Sequence, residues 1–152
     1  MKFIADENVG KLCKWLRILG YDVSYYSPIE DAELIRKAVR ENRTILTRDS
    51  GIPKWNMAKS CLLLESSNPT EQLKQVVEHF NLAVSKELIF TRCTECNVPV
   101  VHVSKSNLKS KVPPYVYKTH EEFAQCPSCG KVYWRGSHYE NVLKRLSDIF
   151  DQ

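Results

Sequence analysis

The stretch that decides the fold is KFIADENVGKLCKWLRILG, which covers residues 2–20. Its first apolar residues end on Asp6, a pattern typical of a short buried strand that stops at a polar residue. An apolar helix face with i, i+3, i+4, i+7 spacing follows, formed by Leu12, Trp15, Leu16 and Leu19. Gly20 stands where the end of a helix favours a left-handed residue. The stretch therefore predicts a strand followed directly by a helix.

The same alternation continues to about residue 92. Further strands are predicted at Tyr21–Tyr26, Thr44–Thr47, Cys61–Glu65 and Leu88–Phe90, and further helices begin near Asp31 and Asn68. Alternating strands and helices favour a mainly parallel sheet with helices on both faces. The predicted fold class is therefore α/β, with an α/β/α parallel sheet formed by residues 1–92.

From residue 93 onward the character of the sequence changes. Short strands are predicted at Val100–Val103 and Lys131–Trp134. An amphipathic helix is predicted from about Ser137. We therefore expect a second unit at residues 93–152, made of short strands and a C-terminal helix.

Two Cys-x-x-Cys pairs mark this second unit as a zinc ribbon. They are Cys93 with Cys96 and Cys126 with Cys129. Each turn can offer two thiolates, and two turns complete the tetrahedral shell that zinc prefers. Because four protein thiolates leave no position for water, we expect a structural Zn²⁺ and not a catalytic one. The remaining cysteines, Cys13 and Cys61, lie in apolar patterns and are expected to be small buried residues.

The composition limits the class of protein and its partners. The chain has 152 residues, 43% of them hydrophobic, and no apolar run is long enough for a signal peptide or a membrane span. Since the cysteines suit a metal in a reducing compartment, we expect a soluble, cytoplasmic protein without a membrane partner. The net charge of +4 permits an anionic partner without requiring one. The sequence does not indicate an oligomeric state.

Three aspartates are expected to meet at one edge of the sheet. Asp6 and Asp49 each follow a predicted strand, and Asp31 begins a helix that leaves the same edge. Ligands of an open parallel sheet bind beyond the carboxyl ends of its strands, so these side chains can converge there. Crowded carboxylates repel each other unless a cation compensates, and Mg²⁺ or Mn²⁺ suits oxygen ligands. Such a site can activate water and neutralise charge that develops on a scissile phosphate.

Each aspartate also has a purely structural interpretation. Asp31 could only cap its helix, and Asp49, which precedes Ser50 and Gly51, could only shape a turn. Asp6 is harder to explain in this way, because an acid directly after a buried strand is costly without a partner. The residues alone leave both interpretations open.

The motifs, taken in order, resemble a known family. The segments that carry the resemblance are Phe3–Leu12, Trp15–Val23, Asp31–Ile35, Arg43–Asp49, Arg92–Asn97 and Cys126–His138. Together they resemble the Mut-seven C-terminal RNase domain, a PIN-like ribonuclease family, over nearly the whole chain. The resemblance implies a PIN-like nuclease domain at residues 1–92 joined to a zinc ribbon with a C-terminal helix at residues 93–152.

The resemblance also implies an activity. It implies Mg²⁺- or Mn²⁺-dependent cleavage of RNA, with Asp6, Asp31 and Asp49 at the acidic catalytic positions of the family. Typical PIN nucleases carry a further acid near the end of the fourth strand, where this chain offers only Glu65 or a serine. The implied function is a metal-dependent ribonuclease in RNA processing or decay, with RNA as the partner.

Several basic residues are candidates for RNA contacts. Arg17 and Arg48 could each bind phosphate through two guanidinium nitrogens, although Arg17 could simply be solvated and Arg48 could pair with Asp49. His138 could face RNA or only cap the last helix.

The ribbon offers further candidates. No acid lies between residues 97 and 120, where lysines could form an electrostatic track or simply be solvated: Lys105, Lys109, Lys111 and Lys118. Tyr133 and Trp134 could stack on bases or form the small core of the ribbon.

Three rival functions also fit parts of the sequence. The chain could be a non-catalytic module that binds RNA or a protein through its ribbon, or it could be a toxin-type PIN nuclease. A receiver-like phosphoacceptor would also place acids at Asp6 and Asp49 and a hydroxyl at Ser66. Such a domain requires a lysine after its fifth strand, and Arg92 and Cys93 stand there instead.

Overall fold

Four parallel strands form the central sheet, and the computed structural model describes residues 1–151. The strands are β1 (Lys2–Ala5), β2 (Asp22–Tyr25), β3 (Thr44–Thr47) and β4 (Cys61–Leu63). The helices around them are α1 (Gly10–Ile18), α2 (Asp31–Glu41) and α3 (Pro69–Phe80). The other strands and α-helices are β5 (Val101–Val103), α4 (Pro114–Thr119), β6 (Phe123–Gln125), β7 (Val132–Tyr133) and α5 (Ser137–Phe150).

The strand order is β2-β1-β3-β4, so β1 and β3 lie in the middle of the sheet. Every pairing in this sheet is parallel. Successive side chains of a strand point to opposite faces, and β1 shows this directly. Phe3 belongs to one buried cluster with Leu12 of α1, and Ile4 belongs to another with Leu34 of α2. The predicted α/β/α arrangement is confirmed.

Helix α5 shares a core with α1 and α3. Its buried residues Tyr139, Val142 and Leu146 lie in one cluster with Leu12 and Leu16. Burying a large apolar side chain is worth about 1.5–3 kcal/mol. The last helix therefore packs against the helices on one face of the central sheet and does not serve the ribbon alone. Within residues 1–151, no helix combines the length and apolarity that a membrane crossing requires.

Residues 93–136 contain a small antiparallel sheet of order β5-β6-β7. Its own core is formed by Leu108, Val112, Val116 and Phe123. The predicted ribbon strands and the helix starting at Ser137 are confirmed.

The turn that contains Cys93 and Cys96 covers the free edge of β2. The N–H of Val23 donates to Oδ1 of Asn97 over 2.9 Å, and the carbonyl oxygen of Val23 accepts from Nε of Arg17 over 2.9 Å. Nη1 of Arg17 also donates to the carbonyl oxygen of Thr94 over 3.1 Å. An edge strand exposes unpaired backbone groups, and here those of Val23 are satisfied by side chains.

The predicted strand at Leu88–Phe90 is wrong, because this segment forms a turn. Phe90 adopts a left-handed conformation with φ of 57°, and its N–H donates to the carbonyl oxygen of Ile18 over 2.9 Å. Of the three residues only Ile89 is buried. The apolar run was too short to show an alternating pattern, and the segment covers the C-terminal end of α1 instead of extending the sheet.

Candidate active site and metal centre

Asp6 and Asp49 lie near the carboxyl ends of the neighbouring strands β1 and β3. Asp6 is only 8% exposed. Thr47, the last residue of β3, donates from its hydroxyl to Oδ2 of Asp6 over 3.2 Å. The same hydroxyl oxygen accepts from the N–H of Asp49 over 3.0 Å. One buried side chain therefore positions both aspartates at the same edge of the sheet.

Asp31 lies within electrostatic reach of these two residues. It is the first residue of α2, and its pKa is raised by burial, then by the charges of Asp49 and Glu30. A groove of about 610 Å³ runs beside it, lined among others by Glu7, Glu30, Asp31, Glu33 and Trp55. The structure thus brings the three predicted aspartates within electrostatic reach of one another, and Asp31 lines an acidic groove.

The surroundings of Asp6 disfavour the charged form of its carboxylate when no cation is bound. Burial raises its pKa, hydrogen bonds from Asn8 and Thr47 lower it, and the charges of Asp49 and Asp31 raise it further, with a net upward shift. Oδ1 of Asp6 is buried and has no hydrogen-bond partner within residues 1–151. Such an oxygen is costly unless something compensates it. A hard cation fits this position, because Mg²⁺ and Mn²⁺ prefer carboxylate oxygens.

Of the two structural roles considered, a helix cap at Asp31 and a turn at Asp49, only the turn is observed. Asp31 does not cap α2, because Glu30 occupies the cap position and Asp31 is the first residue of the helix. Oδ1 of Asp49 accepts from the N–H of Gly51 over 2.8 Å, so Asp49 does shape a turn. Because that bond uses one carboxylate oxygen, the turn and a role in metal binding are compatible.

The segment after β4 does not add a fourth acid to this group. Glu65 is exposed, and its N–H donates to Oε1 of Gln75 over 3.0 Å. The hydroxyl of Ser66 bonds to the carboxylate of Glu71 at the start of α3. The acids whose charges act on Asp6 are Asp49 and Asp31. The segment after β4 therefore forms hydrogen bonds with side chains of α3 instead of joining the aspartates.

Thr47 is a site residue that the sequence did not predict. Thr47 ends a predicted strand two residues before Asp49, and this position could have indicated a polar side chain at the same edge of the sheet. The sequence could not show that its hydroxyl would bridge two aspartates, because Asp6 is 41 residues away along the chain.

The four predicted zinc ligands form a compact cluster. The sulfur atoms of Cys93, Cys96, Cys126 and Cys129 all lie within 4.8 Å of one another. Those of Cys93 and Cys129 are 3.8 Å apart. A tetrahedral site with Zn–S bonds of about 2.3 Å requires sulfurs about 3.8 Å apart. The N–H groups of Ser128 and Cys129 both donate to the sulfur of Cys126 over 3.4 Å. This cluster can hold a metal such as zinc.

The thiols of Cys93 and Cys96 do not ionise over the same pH range without a cation. Burial raises the pKa of Cys93, but hydrogen bonds from Tyr133 and from the backbone of Cys96 and Glu95 outweigh burial and lower it to about 6. The neighbouring thiol of Cys129 is the main cause that raises the pKa of Cys96 to about 12. A bound divalent cation relieves this conflict, because it stabilises every thiolate at once.

Arg17, Arg48 and His138 occupy different environments. The guanidinium of Arg17 is taken up by the carbonyl oxygens of Val23 and Thr94, so it joins α1, β2 and the first Cys-x-x-Cys turn. Arg48 is exposed beside Asp49, and no ion pair joins the two within the described chain. His138 is exposed in the first turn of α5, with its ring 5.4 Å from that of Phe90.

The ribbon lysines are dispersed over a surface that includes acids from elsewhere. Lys105 pairs with Glu121 over 3.0 Å and lies 4.9 Å above the ring of Tyr117. The other three are exposed: Lys109, Lys111 and Lys118.

Both interpretations of the ribbon aromatics have support in the structure. The hydroxyl of Tyr133 donates to the sulfur of Cys93 over 3.3 Å. The ring of Trp134 lies 6.3 Å from that of Phe123 in the ribbon core. Both side chains also line a cavity on the outside of the ribbon. They therefore combine a structural role with an accessible face.

Comparison with known proteins agrees with this architecture. Over 101 residues the chain is 33% identical to the protein named exonuclease mut-7 homolog from Homo sapiens. The match covers 63% of this chain but only 12% of the human protein. Residues 1–146 match the family described as the Mut7-C RNAse domain. The resemblance inferred from the sequence motifs is therefore confirmed. The chain belongs to the Mut7-C RNAse domain family.

Proposed function

We propose that the chain is a metal-dependent ribonuclease that hydrolyses phosphodiester bonds of RNA, in RNA processing or decay. The observation that carries the proposal is the buried, unpartnered Oδ1 of Asp6, which lies within reach of the charges of Asp49 and Asp31. Membership of an RNase family supports a nucleic acid as the substrate. The proposed cofactor of this site is Mg²⁺ or Mn²⁺.

The roles of the residues follow from their positions. Asp6, Asp31 and Asp49 would hold the ion, which supplies an acidified water and positive charge beside the scissile phosphate. Thr47 fixes the orientation of Asp6 through the hydroxyl that it donates to Oδ2. Asp31 lines the acidic groove beside this edge of the sheet, and its carboxylate would add a third oxygen ligand for the ion. Arg48 is exposed beside Asp49 and remains the proposed phosphate contact at this edge.

The second proposed cofactor is a structural Zn²⁺ in the four-thiolate cluster. The sulfurs of Cys93, Cys96, Cys126 and Cys129 lie close enough to bind one ion, and four thiolate ligands would leave no position for water. This division assigns the nuclease site to residues 1–92 and the zinc ribbon with its helix to residues 93–152. We also propose a cytoplasmic location, because thiols stay reduced there and available for a metal.

The test replaces Asp6 or Asp49 with asparagine and measures cleavage of single-stranded and structured RNA in Mn²⁺. We expect each variant to lose cleavage by about a hundredfold or more, because the carboxylate charge that holds the ion is gone. Asp6→Asn should retain or slightly raise thermal stability without metal, since burial and like charges already raise the pKa of Asp6. Its stabilisation by added Mn²⁺ should disappear.

The matched control is Glu78→Gln, which removes one exposed negative charge from α3. It should cleave RNA and respond to Mn²⁺ as the unmodified chain does. Unchanged cleavage by both aspartate variants would exclude this site as the catalytic centre.

A non-catalytic RNA-binding module is the second candidate. It is favoured by the segment after β4, which adds no acid to the aspartate group. Glu65 and Ser66 in this segment form hydrogen bonds with side chains of α3 instead. RNA binding without cleavage in either Mg²⁺ or Mn²⁺ would select this function. A toxin-type nuclease remains a biological variant of the first proposal, and growth arrest on expression that depends on Asp6 would identify it.

A further inference from the structure

Two cavities on the surface away from the acidic groove share His138. The first, a groove of about 450 Å³, lies between α1, the start of α3 and α5. Its lining includes Lys11, Lys14, Trp15, Asn68, His138 and Arg145. This groove is therefore rich in positive charge and has one aromatic side chain along its side.

The second cavity, of about 310 Å³, lies between α4, β7 and the start of α5. Its lining includes Tyr115, His120, Lys131, Trp134, His138 and Phe90. Tyr115 is 68% exposed, although a tyrosine at such a surface would normally bury part of its ring. This cavity is aromatic and carries a lysine at its margin.

Charge distinguishes these two cavities from the others. Among residues 1–151, no acidic residue lines the basic groove or the aromatic cavity. The groove beside Asp31 contains four acids in its lining, namely Glu7, Glu30, Asp31 and Glu33. The cavity beside Phe150 includes Glu140 and Asp151, and the one beside Val100 includes Glu87 and Glu122. Positive charge and aromatic rings without acids favour a polyanion with flat bases.

We propose that the basic groove and the aromatic cavity together bind one single strand of RNA. The backbone phosphates lie along Lys11, Lys14 and Arg145, and an unstacked base enters the cavity against Tyr115 and Trp134. His138 lies at the junction, where it lines both spaces. A duplex is excluded from this arrangement, because its bases are stacked and paired and cannot enter a side cavity.

The inference rests on the proposed function, since it supplies the substrate path for the aspartate site. Helix α1 begins at Gly10, four residues after Asp6, and Lys11 lies in its first turn. At 1.5 Å per residue the nine residues of α1 span only about 13 Å. An RNA strand that follows α1 can therefore extend from the aromatic cavity to the carboxyl end of β1 within a few nucleotides.

The first experiment measures binding of a fluorescent single-stranded RNA to the zinc-loaded chain in Ca²⁺, at several salt concentrations. Replacing Lys11 and Lys14 together with alanine should weaken binding about tenfold or more at moderate salt. It should also reduce the salt-dependence slope by about 1.4, since each phosphate contact with a single strand contributes about 0.7. The control Arg36→Ala with Arg40→Ala removes two exposed charges from α2, on the opposite face of the sheet, and should bind within about twofold of the unmodified chain.

The second experiment tests the aromatic cavity. Tyr115→Ala should weaken binding of the same RNA by about fivefold or more, because a stacked base is lost. Tyr115→Phe keeps the ring and should bind normally. An RNA with abasic positions should bind Tyr115→Ala and the unmodified chain equally. Equal losses for the normal and abasic RNAs, or tighter binding of duplex RNA, would overturn the proposed base cavity.

The two proposals fail in different ways. Groove-dependent RNA binding without any Asp6-dependent cleavage would leave this binding path in place and remove the nuclease. If cleavage depends on Asp6 but the Lys11, Lys14 and Tyr115 variants bind RNA normally, the nuclease proposal stands and the proposed binding path is wrong. If the lysine variants and the control on α2 weaken binding equally, the attraction is general to the surface and the groove is not the site.

Discussion

The hydroxyl of Thr47 makes two bonds that decide the geometry of the aspartate site. It donates to Asp6 and accepts from the backbone of Asp49, and its side chain is fully buried. A threonine in the strand Thr44–Thr47 was expected from its β-branched shape, but its bonding partners depend on the parallel pairing of β1 with β3. The sequence therefore predicts the three aspartates as a group, but it does not predict the residue that positions Asp6 and Asp49.

Thr47→Val keeps the shape of this side chain and removes both hydrogen bonds. We expect the Mn²⁺ concentration that half-activates cleavage to rise about tenfold or more, as for other residues that orient a metal ligand. The free energy of unfolding should fall by about 1–3 kcal/mol because Asp6 and Asp49 lose a partner. Mn²⁺ titration of the cleavage rate measures the first effect. Thr47→Ser restores the hydroxyl and should return the midpoint, so a midpoint that is equal in both variants would contradict a positioning role.

Asp22 joins three parts of the molecule through its carboxylate. Oδ1 accepts from Nη1 of Arg43 over 2.7 Å and from Nδ2 of Asn97 over 2.8 Å. Burial raises the pKa of Asp22, but these hydrogen bonds and the charge of Arg43 outweigh burial and lower it. A lowered pKa in the folded state means that the charged form is stabilised by folding.

Asp22→Asn should therefore reduce stability in a pH-dependent way. At pH 7 we expect the free energy of unfolding to fall by about 1–2 kcal/mol, because a charged partner of Arg43 is lost. The contribution of Asp22 is present above about pH 4 and is lost as the pH falls through the lowered pKa of the folded state. The difference between the two proteins in urea unfolding should thus shrink on acidification. A difference that is constant from pH 7 to pH 3 would contradict this account, and Glu78→Gln should show no such trend.

At the scale of elements, the first Cys-x-x-Cys turn and the edge strand β2 form one structural unit. Asn97 adopts a left-handed conformation with φ of 59°, which directs its side chain so that Oδ1 accepts from Val23. Arg17 reaches the same turn from α1, 77 residues away from Thr94 along the chain. Local patterns predicted α1, β2 and the zinc turn as separate elements. They could not predict this joint, because it depends on residues that are distant in sequence.

Removing the metal should loosen β2 before it loosens β4. Without a metal the Cys93–Cys96 turn loses its shape, and the N–H of Val23 then loses its partner on Asn97. Hydrogen exchange after treatment with a chelator should show faster exchange at Val23, whereas exchange at Leu62 of β4 should change little. Equal acceleration at both positions would show that the metal supports the whole sheet and not its edge.

The α/β/α arrangement could be predicted, because strands and helices alternate along the chain and this alternation favours a parallel sheet between helices. The strands β1 to β4 and helices α1 to α3 carry clear periodicity, and the two Cys-x-x-Cys pairs fix the ribbon. The segment Leu88–Phe90 was misassigned, since a short apolar run fits a buried turn as well as a strand. The boundary between residues 92 and 93 stays a prediction, and the placement of α5 against α1 and α3 was not foreseen.

Shortening the core side chains of α5 should destabilise the entire molecule. Val142→Ala with Leu146→Ala should lower the free energy of unfolding by about 3 kcal/mol or more, because both side chains are buried in the core of the central sheet. Urea unfolding should remain a single transition. The control Asn141→Ala with Lys144→Ala changes two exposed residues of the same helix and should have little effect. A separate early transition, with the sheet unfolding as before, would show that α5 belongs energetically to the ribbon.

The position of α5 also affects how the protein is made. A ribosome completes the strands and α1 to α3 by residue 80, but the helix that covers their shared core is translated only at residues 137–150. During that interval α1 and α3 can cover the sheet, but their apolar side chains that pack against the last helix remain exposed. Folding is then completed only when the last helix leaves the exit tunnel. The newly made chain should therefore depend on chaperones that shield apolar surface for as long as translation of the ribbon lasts.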